Sequence, residues 1–426
     1  MNTAAAPAIS RGRAYYGLSI LTLINLLNYL DRYIVASLFP SIEKDLHVDH
    51  ATAGWLGSVF VIVYMLFAPL AGVLGDRYAR RLVLAAGVFL WSVATSGGGF
   101  ATTFATLLIA RAIVGIGEAG YGTVAPGLIA DLFKRNERSR MLAYFYVAIP
   151  VGSAMGYALG GWFVQHHSWR HAFWIAGLPG ILVALMAFVI PEPKRGATDE
   201  GPPPEKVRFA VGMHRLGRNA TYWTAVAGLT LMTFSIGGLA NWMPSFLQLE
   251  RGIPPADAGF IFGAITASAG LVGTLVGGWL GDVADRRSTT GGMAVSGWGL
   301  LAAVPFMAIC ALAQSSLVIF AAIAAAQFLI FLNNGPLNAA IVSAVPADIR
   351  SFAVGISVLA YHALGDAISP PIIGAIADAS SLSMAILLNA IPIAVGGLLL
   401  VVGARLLHRP PATVSEAGIQ QTAAGT

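Results

Sequence analysis

Charge is scarce in this sequence. Only 11% of the 426 residues are Asp, Glu, Lys or Arg, and 57% are hydrophobic, whereas a soluble domain carries about 25% charged residues. A chain of mean hydropathy +0.73 cannot present a solvated surface all round, which excludes an ordinary soluble enzyme or binding module. Cysteine is nearly absent as well. The lone Cys310 lies in an apolar stretch, so no intrachain disulfide and no cysteine metal centre can form. A GxxxxGK[ST] phosphate loop is missing, so direct ATP drive is not expected. No nucleophile, base and orienting group fall within one plausible site, so neither enzymatic chemistry nor a cofactor is expected. The net charge of +5 and pI near 9.4 would suit nucleic acid only with the basic residues on one soluble face. They fall between apolar blocks instead, and no nucleic-acid partner is expected.

What the sequence has in abundance is apolar runs of about twenty residues or more, the length that a bilayer's hydrocarbon core demands. Marked off by charged, proline and glycine punctuation, they give twelve spans: 14–39, 51–74, 82–102, 104–133, 139–165, 169–190, 221–248, 256–281, 289–313, 316–345, 351–377 and 381–407. The first is too long for a signal-peptide core of about 7–15 residues, so it reads as a retained transmembrane helix. Residues 191–220, with Pro202, Pro203 and Pro204 among charges, read as a polar linker between a first half, 1–190, and a second half, 221–407, followed by a tail, 408–426. With the N-terminus inside, 20 of the 25 Lys and Arg residues fall on the cytoplasmic side. Only Lys44, Arg170 and Arg251 lie outside, and Arg32 and Arg111 within spans. Positive residues are retained in the cytoplasm, so the linker and both termini are expected there.

The halves repeat. Gly72-Val-Leu-Gly-Asp-Arg-Tyr-Ala-Arg-Arg81 ends the second span and Gly278-Trp-Leu-Gly-Asp-Val-Ala-Asp-Arg-Arg287 ends the eighth. Gly72 and Gly75 permit close helix approach. Asp76 and its counterpart Asp282 suit a helix N-terminus, and Arg77, Arg80 and Arg81 complete a candidate gate. Positive-inside bias alone explains the arginines but not the repetition. Parallel six-helix halves are the architecture of the major facilitator superfamily, with the substrate site near the midplane between them.

Gly115, Gly117 and Gly120 fit a dinucleotide-binding GxGxxG string, but no strand precedes them. They read as packing glycines, as do Gly152, Gly156 and Gly160 in the fifth span. Charges inside spans are more telling, because each costs about 2.5–3.5 kcal/mol at mid-membrane and is functional by default. Arg111 and Glu118 lie seven residues apart, two turns along nearly one helix face, and can share a cavity without pairing directly. Asn28 and Asp31 face together in the first span, beside a stripe of Asn25, Asn28 and Arg32, while neighbours Asp31 and Arg32 diverge and should contact different helices. His362 and Asp366, four apart, form a candidate proton-relay pair. Asn241, Asn333, Asn334 and Asn338 either line the other half's cavity or hydrogen-bond between helices. Tyr144, Tyr146, Phe234 and Trp242 read as core or lipid-facing. His166, His167 and Trp169 suit an interfacial belt. For each charged residue the plain alternative is a buried structural ion pair.

Asn28-Tyr-Leu-Asp-Arg32, Tyr64-Met-Leu-Phe-Ala-Pro69 leading into Gly75-Asp-Arg-Tyr78, Gly117-Glu-Ala-Gly-Tyr121 with Ala125-Pro126, and Arg138-Ser-Arg-Met141 through Ile149-Pro-Val-Gly-Ser153 together resemble the spinster-like branch of the major facilitator superfamily. The match runs almost continuously from Leu26 to Arg195. The resemblance implies an all-α membrane fold and export or proton-linked movement of lysophospholipids or sphingosine phosphates. In it, Asp31 and Glu118 match the acidic positions associated with protonation, and Arg111 a basic residue near the headgroup. Asn28, Arg32, Tyr121, Asn241, Asn334, His362 and Asp366 are the further residues expected along the substrate path. The expected partners are membrane lipids, an amphiphilic or anionic small molecule and protons. The expected setting is a monomer in the plasma membrane of a prokaryote. The rival readings are an organic-anion or drug carrier of the same superfamily and a non-transporting membrane receptor.

Overall fold

The computed structural model describes residues 9–194, 209–346 and 349–407. The proline run at 202–204 and the tail 408–426 lie outside the described residues. No strand occurs among those described. The first half is built of α1 (Arg11–Leu46), α2 (His50–Arg77), α3 (Arg80–Gly98), α4 (Phe104–Leu132), α5 (Arg135–His166) and α6 (Trp169–Ala187). A short α7 (Phe209–Gly217) then precedes α8 (Ala220–Leu249), α9 (Pro255–Asp285) and α10 (Gly291–Leu312). The last three spans are interrupted. They consist of α11 (Ser316–Phe331) with α12 (Asn334–Ser343), α13 (Arg350–Tyr361) with α14 (Ser369–Ala379) across a π-helical turn at His362–Asp366, and α15 (Leu382–Leu388) with α16 (Ala390–Leu406). Among the described residues, eleven spans are long and apolar enough to cross a membrane. The twelfth, α1, is 36 residues long, and its polar stripe dilutes its hydropathy.

The twelve spans therefore stand where the apolar runs place them, and two local features depart from expectation. Part of the polar linker is helical: α7 buries Gly212 and Leu216, and its Phe209 ring packs edge-on against Phe352 at 5.5 Å. Helix α11 ends at Phe331, and beyond it the Asn333 side-chain amide donates back to the Leu329 and Ile330 carbonyls at 2.9 Å each. That contact ties the Asn333 amide group to its own chain at the break between α11 and α12.

Glycine sets the seams. A β-carbon on Gly156 would stand 2.6 Å from the Leu30 carbonyl oxygen, and one on Gly160 equally close to that of Ile34, so the expected stripe on α5 seats α1 backbone to backbone. Gly115 and Gly117 do the same for α4 against α2 and α3, at 2.7 Å from the Phe60 carbonyl and 2.6 Å from that of Gly87. Such contacts supply the dispersion that holds helices together where lipid removes the hydrophobic drive.

Two of the three arginines and lysines expected on the outer side have matching structural duties. In the first half Arg170 donates to Asp45 at 2.6 Å and to the Ala101 carbonyl at 3.0 Å. In the second, Arg251 donates to the Ala311 carbonyl and to Ser383, while Glu250 caps the start of α15 through the Leu382 and Ser383 amides. Each half thus ties the far end of its first helix to its third and sixth, and the two arginines serve as local clamps. Trp169, expected in an interfacial belt, is instead 3% exposed and donates to Asp45 at 3.2 Å.

The halves meet on the side opposite the repeated motif. There α5 packs on α9 where Gly259 meets Tyr157, and α2 packs on α14 where Gly54 and Gly374 meet Pro370 and His50. The cross-half hydrogen bonds of Ser37 with Gln248, Gln165 with Ala256 and His50 with Asp378 gather on that side. Toward the motif ends, a β-carbon on Gly72, Gly127 or Gly355 would meet nothing within 4 Å. Among the described residues, hydrogen bonds join the halves at the end opposite the motif and none joins them at the motif-bearing end.

Candidate functional site

Four charges lie at mid-span, two from α1 and two from α4. Seven residues of helix advance about 10.5 Å, which spreads Arg111 and Glu118 far enough apart for each to meet a different side chain of α1. Asp31 takes Arg111, with 3.6 Å between Oδ1 and Nη1, and accepts from the Thr95 hydroxyl at 2.5 Å. Arg32 donates to Glu118 Oε2 at 3.1 Å. Asp31 and Arg32 were expected to contact different helices. Asp31 does reach α3 through Thr95, but both pair with α4, because the long α4 side chains span the divergence. Glu118 accordingly has Arg32, not Arg111, as its direct cation.

These pairs are buried and incompletely satisfied. Asp31, Arg111 and Glu118 are 1%, 2% and 0% exposed, and Asp31 Oδ1, Arg111 Nη1, Glu118 Oε1 and Arg32 Nε have no hydrogen-bond partner. Buried charges are tolerated only when paired, and spare donors and acceptors leave room for exchange of partners. The Phe60 ring lies against both guanidinium groups, 4.7 Å from Arg32 and 5.1 Å from Arg111. Only Arg32 faces open space: a cavity of about 360 Å³ is lined by Asn25, Asn28, Tyr29, Arg32, Tyr64, Glu118, Tyr121 and Tyr146 from the first half and by Tyr361 and His362 from the second.

Of the residues expected along the substrate path, Asn28, Arg32, Glu118, Tyr121 and His362 line this cavity, whereas Asp31 and Arg111 lie behind its wall. His362 Nδ1 sits 2.9 Å from Asp366 Oδ1 in the π-helical turn, beside Gly365 with its non-helical φ of −106° and ψ of −106°. Asn241 donates to Gly237 of its own helix at 2.8 Å and abuts Gly57 at the cross-half seam. Asn334 reaches Thr274 at 3.4 Å and joins α12 to α9. Asn338 donates to the Asn334 carbonyl. Each of the three gives its amide nitrogen to a helix contact.

An aromatic lining was missed: Tyr29, Tyr64, Tyr146 and Tyr361 face the cavity, Tyr146 against the expectation of a core or lipid-facing ring. Tyr29 was the accessible signal, three residues before Arg32 on one helix face, with its ring 5.1 Å from that guanidinium.

The repeated motif divides its labour. Asp76 and Arg77 are exposed and bond to no described residue, Gly72 is uncrowded, and Gly75 abuts Val124 of α4. Arg80 is buried and holds Asp131 at 2.6 Å, Glu192 at 3.1 Å and the Pro193 carbonyl at 2.9 Å, while the Arg81 amide donates to Glu192. Arg80 and the Arg81 backbone therefore clamp the start of α3 to α4 and to the first residues of the 191–220 segment, where a gate was expected. In the second copy Asp282 is exposed. Asp285, three residues on, is the carboxylate at a helix start, accepting from Gly292 at 2.6 Å. Its counterpart in the first copy is Ala79. Substituting Arg80→Met removes the cation that Asp131 and Glu192 share, and is expected to destabilise the protein by about 3 kcal/mol. Thermal unfolding in detergent reads this, and a purely gating Arg80 would leave the midpoint unmoved.

A model of the Major Facilitator Superfamily matches residues 21–365. The chain is 37% identical over 381 residues to Protein spinster of Drosophila melanogaster, covering 87% of this chain and 63% of that protein. It is 36% identical over 398 residues to Protein spinster homolog 3 of Danio rerio, covering 89% and 80%. To Protein spinster homolog 1 of Homo sapiens it is 36% identical over 397 residues, covering 87% and 74%. The likeness thus runs well past the first half, where the sequence motifs had concentrated it. In fold the chain is similar to a bacterial homolog of the human lysosomal transporter Spinster in an inward-facing and unoccupied conformation. The TM-score is 0.86 and the identity 24%, over 95% of this chain and 100% of that one. The same comparison with an inward-facing and occupied conformation gives a TM-score of 0.81 and 22% identity over the same shares.

Proposed function

Because the chain belongs to the major facilitator superfamily, in its spinster branch, we propose that it is a proton-linked secondary transporter of a lysophospholipid or sphingosine-phosphate-like amphiphile, working by alternating access. The observation that carries this reading is the Arg32–Glu118 pair, a fully buried acid whose only direct cation stands on the wall of the cavity. An anionic headgroup entering that cavity competes for Arg32, since guanidinium groups suit phosphate. Glu118, deprived of its cation in an apolar setting, then takes a proton rather than remain a lone buried charge. Occupancy and proton uptake are thereby linked. The tyrosine lining suits the junction of a polar head and an apolar chain, each ring presenting an apolar face and a polar tip.

In this reading the motif-bearing mouth faces the cytoplasm of a prokaryotic cell, as the positive-inside count supports, with 1–190 and 221–407 as the rocking halves, 191–220 as a cytoplasmic linker and both termini inside. Asp76 latches the inner mouth only when the halves close there, which accords with its lack of a partner among the described residues. The protein acts as a monomer.

The test is counterflow into proteoliposomes preloaded with unlabelled substrate. Labelled lysophospholipid is expected to exchange several-fold faster than a water-soluble organic anion. The reverse preference would make the protein an organic-anion carrier, and no exchange of either would favour a non-transporting receptor.

A further inference from the structure

We propose that Asp378, together with Glu43 and His50, forms a proton-releasable latch that holds the outer mouth shut. Asp378 belongs to α14 of the second half, yet its carboxylate accepts the His50 amide at 3.0 Å and the Ala51 amide at 2.8 Å, in the first turn of α2 in the first half. First-turn amides have no acceptor within their own helix, and the helix start favours a negative charge. One oxygen accepts each amide, so the contact needs the ionised carboxylate. A proton on Asp378 turns one acceptor into a donor that faces an N–H.

The surroundings lock His50 into the same closure. Its ring Nδ1 lies 2.9 Å from Glu43 Oε1 of α1, the ring meets Trp242 of α8 edge-on at 5.2 Å, and its carbonyl lies where a β-carbon on Gly374 would stand. The titratable groups facing the latch are Glu43 from α1, Asp49 and His50 at the start of α2, and Asp378 from α14. Helix α8 presents Trp242 and no charge. Three carboxylates thus surround one imidazole, and Asp378 is itself exposed, so protons from the outer solution reach the carboxylate whose ionisation the closure requires. No described residue holds the Asp76 side chain at the opposite mouth. The two mouths therefore carry acidic latches of which one is made and the other open, as a protein closed only on the outside requires.

This inference rests on the alternating-access reading, and the experiment separates the two. Spin labels on Thr102→Cys and Gln314→Cys, exposed positions in outer loops of opposite halves, in a Cys310→Ala background, report the outer opening by double electron–electron resonance in proteoliposomes. In the parent, lowering the pH from neutral to below the ordinary carboxylate value of about 3.9 is expected to add a longer-distance population. Asp378→Asn is expected to show that population already at neutral pH, raised several-fold over the parent and insensitive to acid. Glu43→Gln, which keeps Asp378, should show a smaller rise and retain the response. A parent that opens in acid with Asp378→Asn opening identically overturns the latch. A parent in which the label distance never changes, with or without lysophospholipid at any pH, overturns alternating access itself.

Discussion

Glu118→Gln is expected to bind lysophospholipid at least as tightly as the parent while losing all response of transport to an imposed pH gradient. Glutamine has the shape of the protonated acid and cannot hold Arg32 by charge, so the variant is fixed in the state that substrate would otherwise induce. In the parent, protonating Glu118 frees Arg32 for an anionic headgroup, so substrate affinity should rise as pH falls. Reciprocity then requires substrate to raise the proton affinity of the site by the same factor, and couplings of this kind are typically about 5- to 150-fold. The variant should bind with a flat pH profile, and its gradient-driven flux should fall to the level of passive exchange. Binding measured by intrinsic fluorescence across pH, with flux measured in the same preparation, separates the two effects. A Glu118→Gln protein still driven by the gradient would move the proton site to Asp31 or to the His362–Asp366 pair.

The two arginines are expected to part company. Arg32 faces the cavity, with its side chain 24% exposed, whereas Arg111 and its partner Asp31 have side chains only 2% exposed each. Arg32→Ala should weaken phosphate-bearing substrates far more than neutral ones and cost little stability, because the stranded Glu118 can take a proton from the cavity. Arg111→Ala strands Asp31 behind the wall, and removing one member of a buried pair costs about 3–5 kcal/mol. Its thermal midpoint should fall sharply, and the double variant Arg111→Ala/Asp31→Asn should regain part of the loss. If Arg111 instead met the headgroup, Arg111→Ala would fold normally and bind poorly, and Arg32→Ala would not.

The twelve spans were legible because a bilayer's thickness imposes one length on every crossing. The four membrane charges were legible because apolar solvent makes each conspicuous. Their pairing was not. Whether Arg32 or Arg111 serves Glu118 depends on the register of α1 against α4, which the Gly156 and Gly160 seam influences only by seating α1 on α5. The breaks at Asn333 and Gly365 were equally hidden, since an apolar run reads the same whether or not its helix is continuous. Tyr146 shows the limit of composition, because an aromatic ring near the midplane suits core, lipid and cavity alike. The repeat 72–81 and 278–287 marked the right loops, but Arg80 is drawn inward by Asp131 and Glu192 from residues far along the chain. In the second copy the helix-capping carboxylate is Asp285, at the position where the first copy has Ala79.

The central claim is that substrate takes Arg32 from Glu118 and a proton takes its place. The most direct measurement is proton exchange on binding: purified protein in weakly buffered detergent solution, with lysophospholipid added and pH followed by an indicator dye. The parent should take up protons in proportion to occupancy, so that the solution turns alkaline, and Glu118→Gln should bind without any change. Binding without proton uptake in the parent, or uptake that persists undiminished in Glu118→Gln, would contradict it.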